Sequence, residues 1–273
     1  MSPPLRIALL VAALLLAVAL LVFQGQRRLL YFPTRYALAD AERTAARLGL
    51  SPWRDGAGHH LGWRSPHPSR RAVARLVALH GNAGSALDRG YLPEVLQGPL
   101  LPPLDVYLLE YPGYGARDGS PGQQAIVTAT VEAVDLLAAE GPLPVLLAGE
   151  SLGSAAAALA AAERPAVAGL LLLTPLQSVA AVARRHYPWA PAALLRDRYD
   201  AAAALVRYRG PVAFLVAGAD EVTFADLGVA LHDGYAGPKR LWVQEGRGHN
   251  SVRYDPADPM WREAVAGLLA GGW

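Results

Sequence analysis

The chain of 273 residues carries a formal charge of +2 at neutral pH, with 25 Lys and Arg against 23 Asp and Glu. So small a surplus, with arginines scattered rather than gathered into a stripe, argues against a nucleic-acid partner. The absence of cysteine excludes a disulfide framework, a thiolate metal site and a cysteine nucleophile, and the length suits one large α/β domain with a self-sufficient core. Lys239 is the sole lysine, and Ala, Leu, Gly and Pro abound, a composition that points to a GC-rich bacterial genome.

From Ile7 to Phe23 the chain is apolar and uncharged, and at a rise of about 1.5 Å per residue it covers roughly 25 Å. Leu5 and a snorkelling Arg6 bring it close to the roughly 30 Å of a bilayer core. A cleaved signal would have a shorter run followed by a small-x-small site. Here Ala17-Val18-Ala19 lies inside the run and the exit is Leu21-Val22-Phe23-Gln24, so the segment is expected to persist as an anchor in the bacterial inner membrane. Arg6 on one side faces Arg27, Arg28 and Arg35 on the other, so the positive-inside rule assigns no side. Residues 1–28 are read as anchor and juxtamembrane stretch, and 29–273 as the soluble domain.

Residues 24–50 are amphipathic and are expected to lead into the domain and cover one sheet edge. Strand-like and helix-like segments then alternate, the pattern of a mostly parallel sheet with helices on both faces. Arg71–His80 is an apolar strand entering the turn His80-Gly81-Asn82-Ala83-Gly84, and Asp105–Glu110 is a second strand ending at Tyr111-Pro112-Gly113-Tyr114-Gly115. Ile126, Val131, Val134 and Leu137 give Pro121–Glu140 helical spacing, stopped by Gly141-Pro142. The strand at Val145–Ala148 leads into Gly149-Glu150-Ser151-Leu152-Gly153, and an alanine-rich helix follows as far as Pro165. Val167–Leu173, Pro211–Val216 and Arg240–Val243 read as further strands, with helices at Thr223–Tyr235 and Pro256–Leu269. Between them Thr174–Gly210, carrying Tyr187, Trp189 and Tyr199, is too long for a plain connection and is read as a short lid over about 174–210.

A serine hydroxyl needs a base, a group that orients the base and donors for the oxyanion it generates. Ser151 is the candidate nucleophile. It stands between strand and helix on a turn whose flanking glycines, Gly149 and Gly153, leave space where a Cβ would collide. In this arrangement the acid and then the base follow the nucleophile in chain order. Asp220, at the end of Pro-Val-Ala-Phe-Leu-Val-Ala-Gly-Ala-Asp, is the candidate acid, ahead of Glu221, Asp226, Asp197 and Asp200. His249, in Gly246-Arg247-Gly248-His249-Asn250 after the last strand, is the candidate base. His59, His60, His67, His186 and His232 lack a strand-end context, and His59-His60 lacks the spacing of a zinc motif, so neither metal nor cofactor is expected. The backbone N–H groups of Leu152 and Asn82 are the candidate oxyanion donors, with His80 bracing the second loop.

In their order HGNAGS, YPGYG, GESLG, ADEV and GRGHN, together with RRLLYFPTR and HYPWAPAALLRDRYDA, these motifs resemble the membrane-anchored α/β-hydrolase domain-containing proteins. The likeness runs from about Leu29 to the carboxyl end. It implies the α/β-hydrolase fold and an esterase, thioesterase or lipase type of activity on a small-molecule or lipid-like acyl substrate, with Ser151, Asp220 and His249 matching the triad. Thr223-Phe224 departs from the Val-Pro or Ile-Pro pair frequent after the acid. A serine peptidase and a non-catalytic anchored scaffold are the alternatives, and no protein partner is evident.

Overall fold

A computed structural model of the chain describes residues 2–188 and 191–273; Trp189, one of the expected lid aromatics, lies outside them. Among the described residues the first helix, α1 (Pro3–Leu30), carries no buried side chain through its apolar stretch, and it is the one helix there long and apolar enough to cross a membrane. It does not stop at residue 28. Its last turn continues to Leu30, where Tyr31 turns the chain into extended backbone.

The domain follows as β1 (Phe32–Pro33), α2 (Leu38–Arg47), β2 (Ser51–Arg54), β3 (His60–Ser65), β4 (Ala74–Leu79), β5 (Ala83–Gly84), α3 (Leu92–Leu96), β6 (Leu104–Leu109), α4 (Gln123–Ala139) and β7 (Val145–Glu150). Then come α5 (Leu152–Glu163), β8 (Val167–Leu173), α6 (Val179–His186), α7 (Ala201–Arg207), β9 (Val212–Ala217), α8 (Ala225–Gly234), β10 (Lys239–Gln244) and α9 (Pro259–Ala270). Among the described residues the main sheet has the order β10-β9-β8-β7-β4-β6-β3-β2. From β10 to β6 the neighbours are parallel, whereas β2 and β3 close the other edge as antiparallel strands. That edge pair was missed in the sequence because Pro52 and Gly62 interrupt short runs with no clear alternation.

Successive strand residues face opposite sides, so each strand feeds two cores. Val77, Leu79, Leu147, Leu172 and Phe214 pack with α4, α5 and α7, while Leu76, Ala78, Leu146, Leu173 and Leu215 pack with α3 and α9. The alanines of α5 are buried almost all round, because the helix is wedged between the sheet, α4 and α7, where larger side chains would force these elements apart. The edge expected to be covered by residues 24–50 is met by α2, which buries Ala41 and Ala45 and packs against β2.

The stretch read as a lid holds α6 and α7 among its described residues. Its final helix, α7, buries Ala201, Ala204 and Leu205 against α5 and is a member of the helical layer. The remainder, a cap made of α6 and the stretch to Tyr199, is tied down at Asp197. This carboxylate is 5% exposed and accepts from Arg27 Nε at 2.9 Å and Nη2 at 3.1 Å, from Tyr31 Oη at 3.1 Å and from the Gln123 amide at 3.3 Å. The Arg27 guanidinium lies where a Cβ on Gly122 would be, 2.8 Å from its Cζ, so the glycine before α4 makes room for it. Replacing Arg27 with alanine leaves Asp197 buried without its cation. The expected loss is about 1–3 kcal/mol, reduced from the range for fully buried pairs because Arg27 is partly exposed. Thermal unfolding of the detergent-solubilised chain measures it.

Candidate active site

The turn after β7 places Ser151 at φ 54°, ψ −119°, a region that non-glycine residues rarely occupy. The Ser151 amide holds that conformation by donating to Leu173 O at 2.9 Å, and the Ser154 hydroxyl bridges Ser151 O at 2.6 Å and the Leu176 amide at 2.9 Å. The flanking glycines are sterically required. A Cβ on Gly149 would lie 2.3 Å from Gly153 O, and one on Gly153 would lie 2.5 Å from the carbonyl oxygens of both Leu79 and His80.

His249 begins a short 3-10 turn after β10, and Asp220 follows β9, so parallel neighbours deliver both side chains to the same edge as the elbow. His249 Nε2 is 3.0 Å from Ser151 Oγ, and His249 Nδ1 is 2.7 Å from Asp220 Oδ2. With Nδ1–H donating to the carboxylate, Nε2 is left to accept from the serine hydroxyl. Asp220 Oδ1 accepts from the amides of Val222 at 2.8 Å and Thr223 at 2.9 Å, and Oδ2 also accepts from the Thr223 hydroxyl at 2.8 Å. Burial opposes ionisation of this carboxyl, but the bonds from His249 and Thr223 outweigh it and hold Asp220 below the usual carboxylate range.

Thr223 was noted in the sequence only as a departure from a common pair. Its hydroxyl, 3.4 Å from His249 Nδ1, stands at the junction of acid and base, and its carboxylate contacts span only three residues. A Thr three residues after an acid was the available signal. Of the other acids weighed as alternatives, three are committed elsewhere: Asp226 pairs with Arg185, Asp197 with Arg27, and Asp200 caps α7. Among the remaining histidines, His59 pairs with Asp55 and His232 with Asp233, while His67 binds its own loop.

Leu152 is the first residue of α5, so its N–H is one of the donors that a helix leaves unpaired at its start. Neither this amide nor that of Asn82 has a hydrogen-bond acceptor among the described residues. Asn82 is held from three directions: its carbonyl accepts from the Phe32 amide at 2.9 Å and Tyr114 Oη at 2.7 Å, and its side chain donates to Leu30 O at 2.8 Å. His80 braces the loop as expected. Its Nδ1 bonds Gly81 O at 2.8 Å, its carbonyl accepts from Tyr111 Oη at 2.6 Å, and its ring lies 3.9 Å from that of Tyr111. Glu150, beside the nucleophile, is bound through both oxygens by Arg89 at 2.9 and 2.7 Å, a contact across 61 residues that no local pattern announces. A separate cavity of about 710 Å³, lined by Arg54, His60, Arg117 and Glu132 among others, contains neither Ser151, Asp220 nor His249.

No family model matches the chain. It is 33% identical over 252 residues to the uncharacterized protein Rv2307c of Mycobacterium tuberculosis, spanning 90% of this chain and 88% of the relative. An alpha/beta hydrolase domain-containing protein of Arabidopsis thaliana, WAV2, is 30% identical over 166 residues, 57% of this chain and 53% of its own. Among solved structures, Est1E of Butyrivibrio proteoclasticus superposes with a TM-score of 0.63 at 18% identity, covering 81% of this chain and 99% of that one. A monoacylglycerol lipase of Paleococcus ferrophilus superposes with a TM-score of 0.56 at 22% identity, covering 77% and 98%. Identities this low speak for the fold, and the fold agrees with the strand order and elbow described above. The chain belongs to one family with the mycobacterial protein Rv2307c, and it has the α/β-hydrolase fold.

Proposed function

We propose that this protein is a membrane-anchored serine hydrolase that cleaves a carboxylic ester or thioester through an acyl-enzyme. The reading rests on one observation above all: the Ser151 hydroxyl, His249 imidazole and Asp220 carboxylate lie in line at 3.0 and 2.7 Å, on an elbow adjoining two unpaired amides. As Ser151 Oγ attacks the acyl carbon, His249 Nε2 takes its proton and Asp220 stabilises the imidazolium. The Leu152 and Asn82 amides receive the negative charge that moves onto the carbonyl oxygen. Collapse expels the alcohol or thiol, which takes the proton from His249, and water repeats the sequence on the acyl-serine. Each oxyanion donor contributes about 2.7 to 4 kcal/mol to such a barrier. The apolar window of α1, unburied among its described residues, supports the anchoring half of the proposal.

A fluorophosphonate probe tests the nucleophile. It should label the wild type and leave Ser151→Ala unlabelled, and equal labelling of both would remove Ser151 from the mechanism. An ester series set against matched amides tests the leaving group, with esters turned over faster; preference for amides would favour the peptidase alternative.

A further inference from the structure

We propose that the cap segment from Ala192 to Arg198 rests on the headgroup layer of the membrane, and that the substrate is an acyl ester or thioester of an amphiphile resident in that leaflet. The proposal depends on the anchor and hydrolase reading above and goes further by fixing where the site stands. Phe23 ends the apolar run and marks the edge of the hydrocarbon. Gln26 and Arg27 lie three and four residues on, about 4.5–6 Å along the helix. That distance matches a headgroup layer of roughly 5–7 Å on each side of the core.

The cap is held at this depth by direct contacts. Gln26 Nε2 donates to Leu194 O at 2.9 Å, and Gln26 Oε1 accepts from the Arg196 amide at 3.0 Å. The Arg196 guanidinium stands 5.4 Å from the centre of the Phe23 ring, at the level of the last apolar residue. With Arg27 bound through two nitrogens to the buried Asp197, the cap cannot leave this depth without breaking that pair.

The chemistry of the face suits a lipid surface. Leu194 is 48% exposed, Phe32 53% and Leu29 71%, and Arg28, Arg196 and Arg198 are exposed as well. Exposed apolar side chains accompanied by arginines match acyl-chain ends beneath anionic headgroups. The same face is one contact from both arms of the site. Leu30 O holds the Asn82 side chain at 2.8 Å, and Arg198 O accepts from the amide of Val179 at the start of α6 at 2.8 Å. At its other end α6 meets the acid loop through Arg185–Asp226 and through His186 Nε2, 3.3 Å from Val222 O. Leu30 lies seven residues beyond Phe23, about 10 Å along the helix, so the oxyanion loop stands a few Å above that headgroup layer.

The lack of native cysteine permits single-site spin labelling of the full chain. Leu14→Cys, Leu194→Cys and Leu100→Cys are labelled and placed in vesicles of phosphatidylcholine with one-third phosphatidylglycerol. Accessibility to oxygen and to a soluble nickel chelate then reports depth. The expected order is Leu14 in the hydrocarbon, Leu194 at the headgroups and Leu100, itself 73% exposed, in water. A Leu194 label as aqueous as Leu100, with Leu14 deep, overturns the docking while leaving the anchor intact; an aqueous Leu14 label overturns the anchor and the docking with it. For the substrate, the ratio of turnover on a vesicle-embedded long-chain ester to that on its soluble short-chain analogue should fall about tenfold in Arg196→Glu, which reverses one headgroup-facing charge. An unchanged ratio overturns the leaflet-resident substrate.

Discussion

Asp220→Asn is expected to lower kcat by about 10⁴-fold while leaving the fold in place. Two backbone amides, those of Val222 and Thr223, donate to Oδ1 at 2.8 and 2.9 Å. An asparagine must therefore put its carbonyl oxygen there and turn its NH₂ toward His249. The side chain that now accepts from Nδ1 becomes a donor, so the imidazole must present a bare Nδ1 and carry its proton on Nε2, against the Ser151 hydroxyl. Geometry survives and the tautomer is wrong. The Thr223 hydroxyl, within 3.4 Å of Nδ1, can offer a weak acceptor in compensation. Steady-state kinetics with a soluble ester, with thermal unfolding alongside, decide the matter. A loss smaller than tenfold, or one explained by a large fall in melting temperature, would contradict this role for Asp220.

What the sequence made legible is the part of the site built from strand ends. The runs into Gly81, Gly149 and Ala219 are apolar, short and broken by residues that permit sharp turns, so period and punctuation single out Ser151, Asp220 and His249 as candidates, which the structure brings together at 3.0 and 2.7 Å. The contacts that hold those loops are of another kind. Arg89 reaches Glu150 across 61 positions and Arg27 reaches Asp197 across 170, and neither pair differs locally from a solvated charge. Asp197 was legible only as one of several acids in an irregular stretch, and its burial at the start of α4 depends on how α4, the cap and the end of α1 meet. For the same reason α7 is indistinguishable from the lid in the sequence: seven residues, four of them alanine, are too short a run to show a face, and only packing on α5 assigns the helix to the layer. The boundary at residue 28 followed charge, which changes at Arg27, whereas the helix itself runs to Leu30 because nothing in Gln-Gly-Gln-Arg-Arg-Leu-Leu compels it to end sooner.

Gly153→Ala should damage catalysis through one methyl group that meets only backbone. The added carbon falls 2.5 Å from two carbonyl oxygens, those of Leu79 and His80, and backbone cannot yield as a side chain would. Either α5 withdraws from β4, carrying the Leu152 amide with it, or the end of β4 moves and takes Gly81 and Asn82 along. Asn82 is pinned on its far side by Leu30, Phe32 and Tyr114, which resist that second movement. In both cases the two oxyanion amides separate, and the expected fall in kcat is about 10²- to 10³-fold, the effect of losing one donor. Overpacking should also cost about 1–3 kcal/mol, which in a domain of this size lowers the melting temperature by roughly 2–4 °C for each kcal/mol. KM should change little, because the defect concerns charge that appears only in the transition state. The fluorophosphonate labelling rate should fall in parallel with kcat, since phosphonylation draws on the same donors. Labelling at the wild-type rate by a folded Gly153→Ala protein would mean that the amides of Leu152 and Asn82 are not the pair that receives the oxyanion.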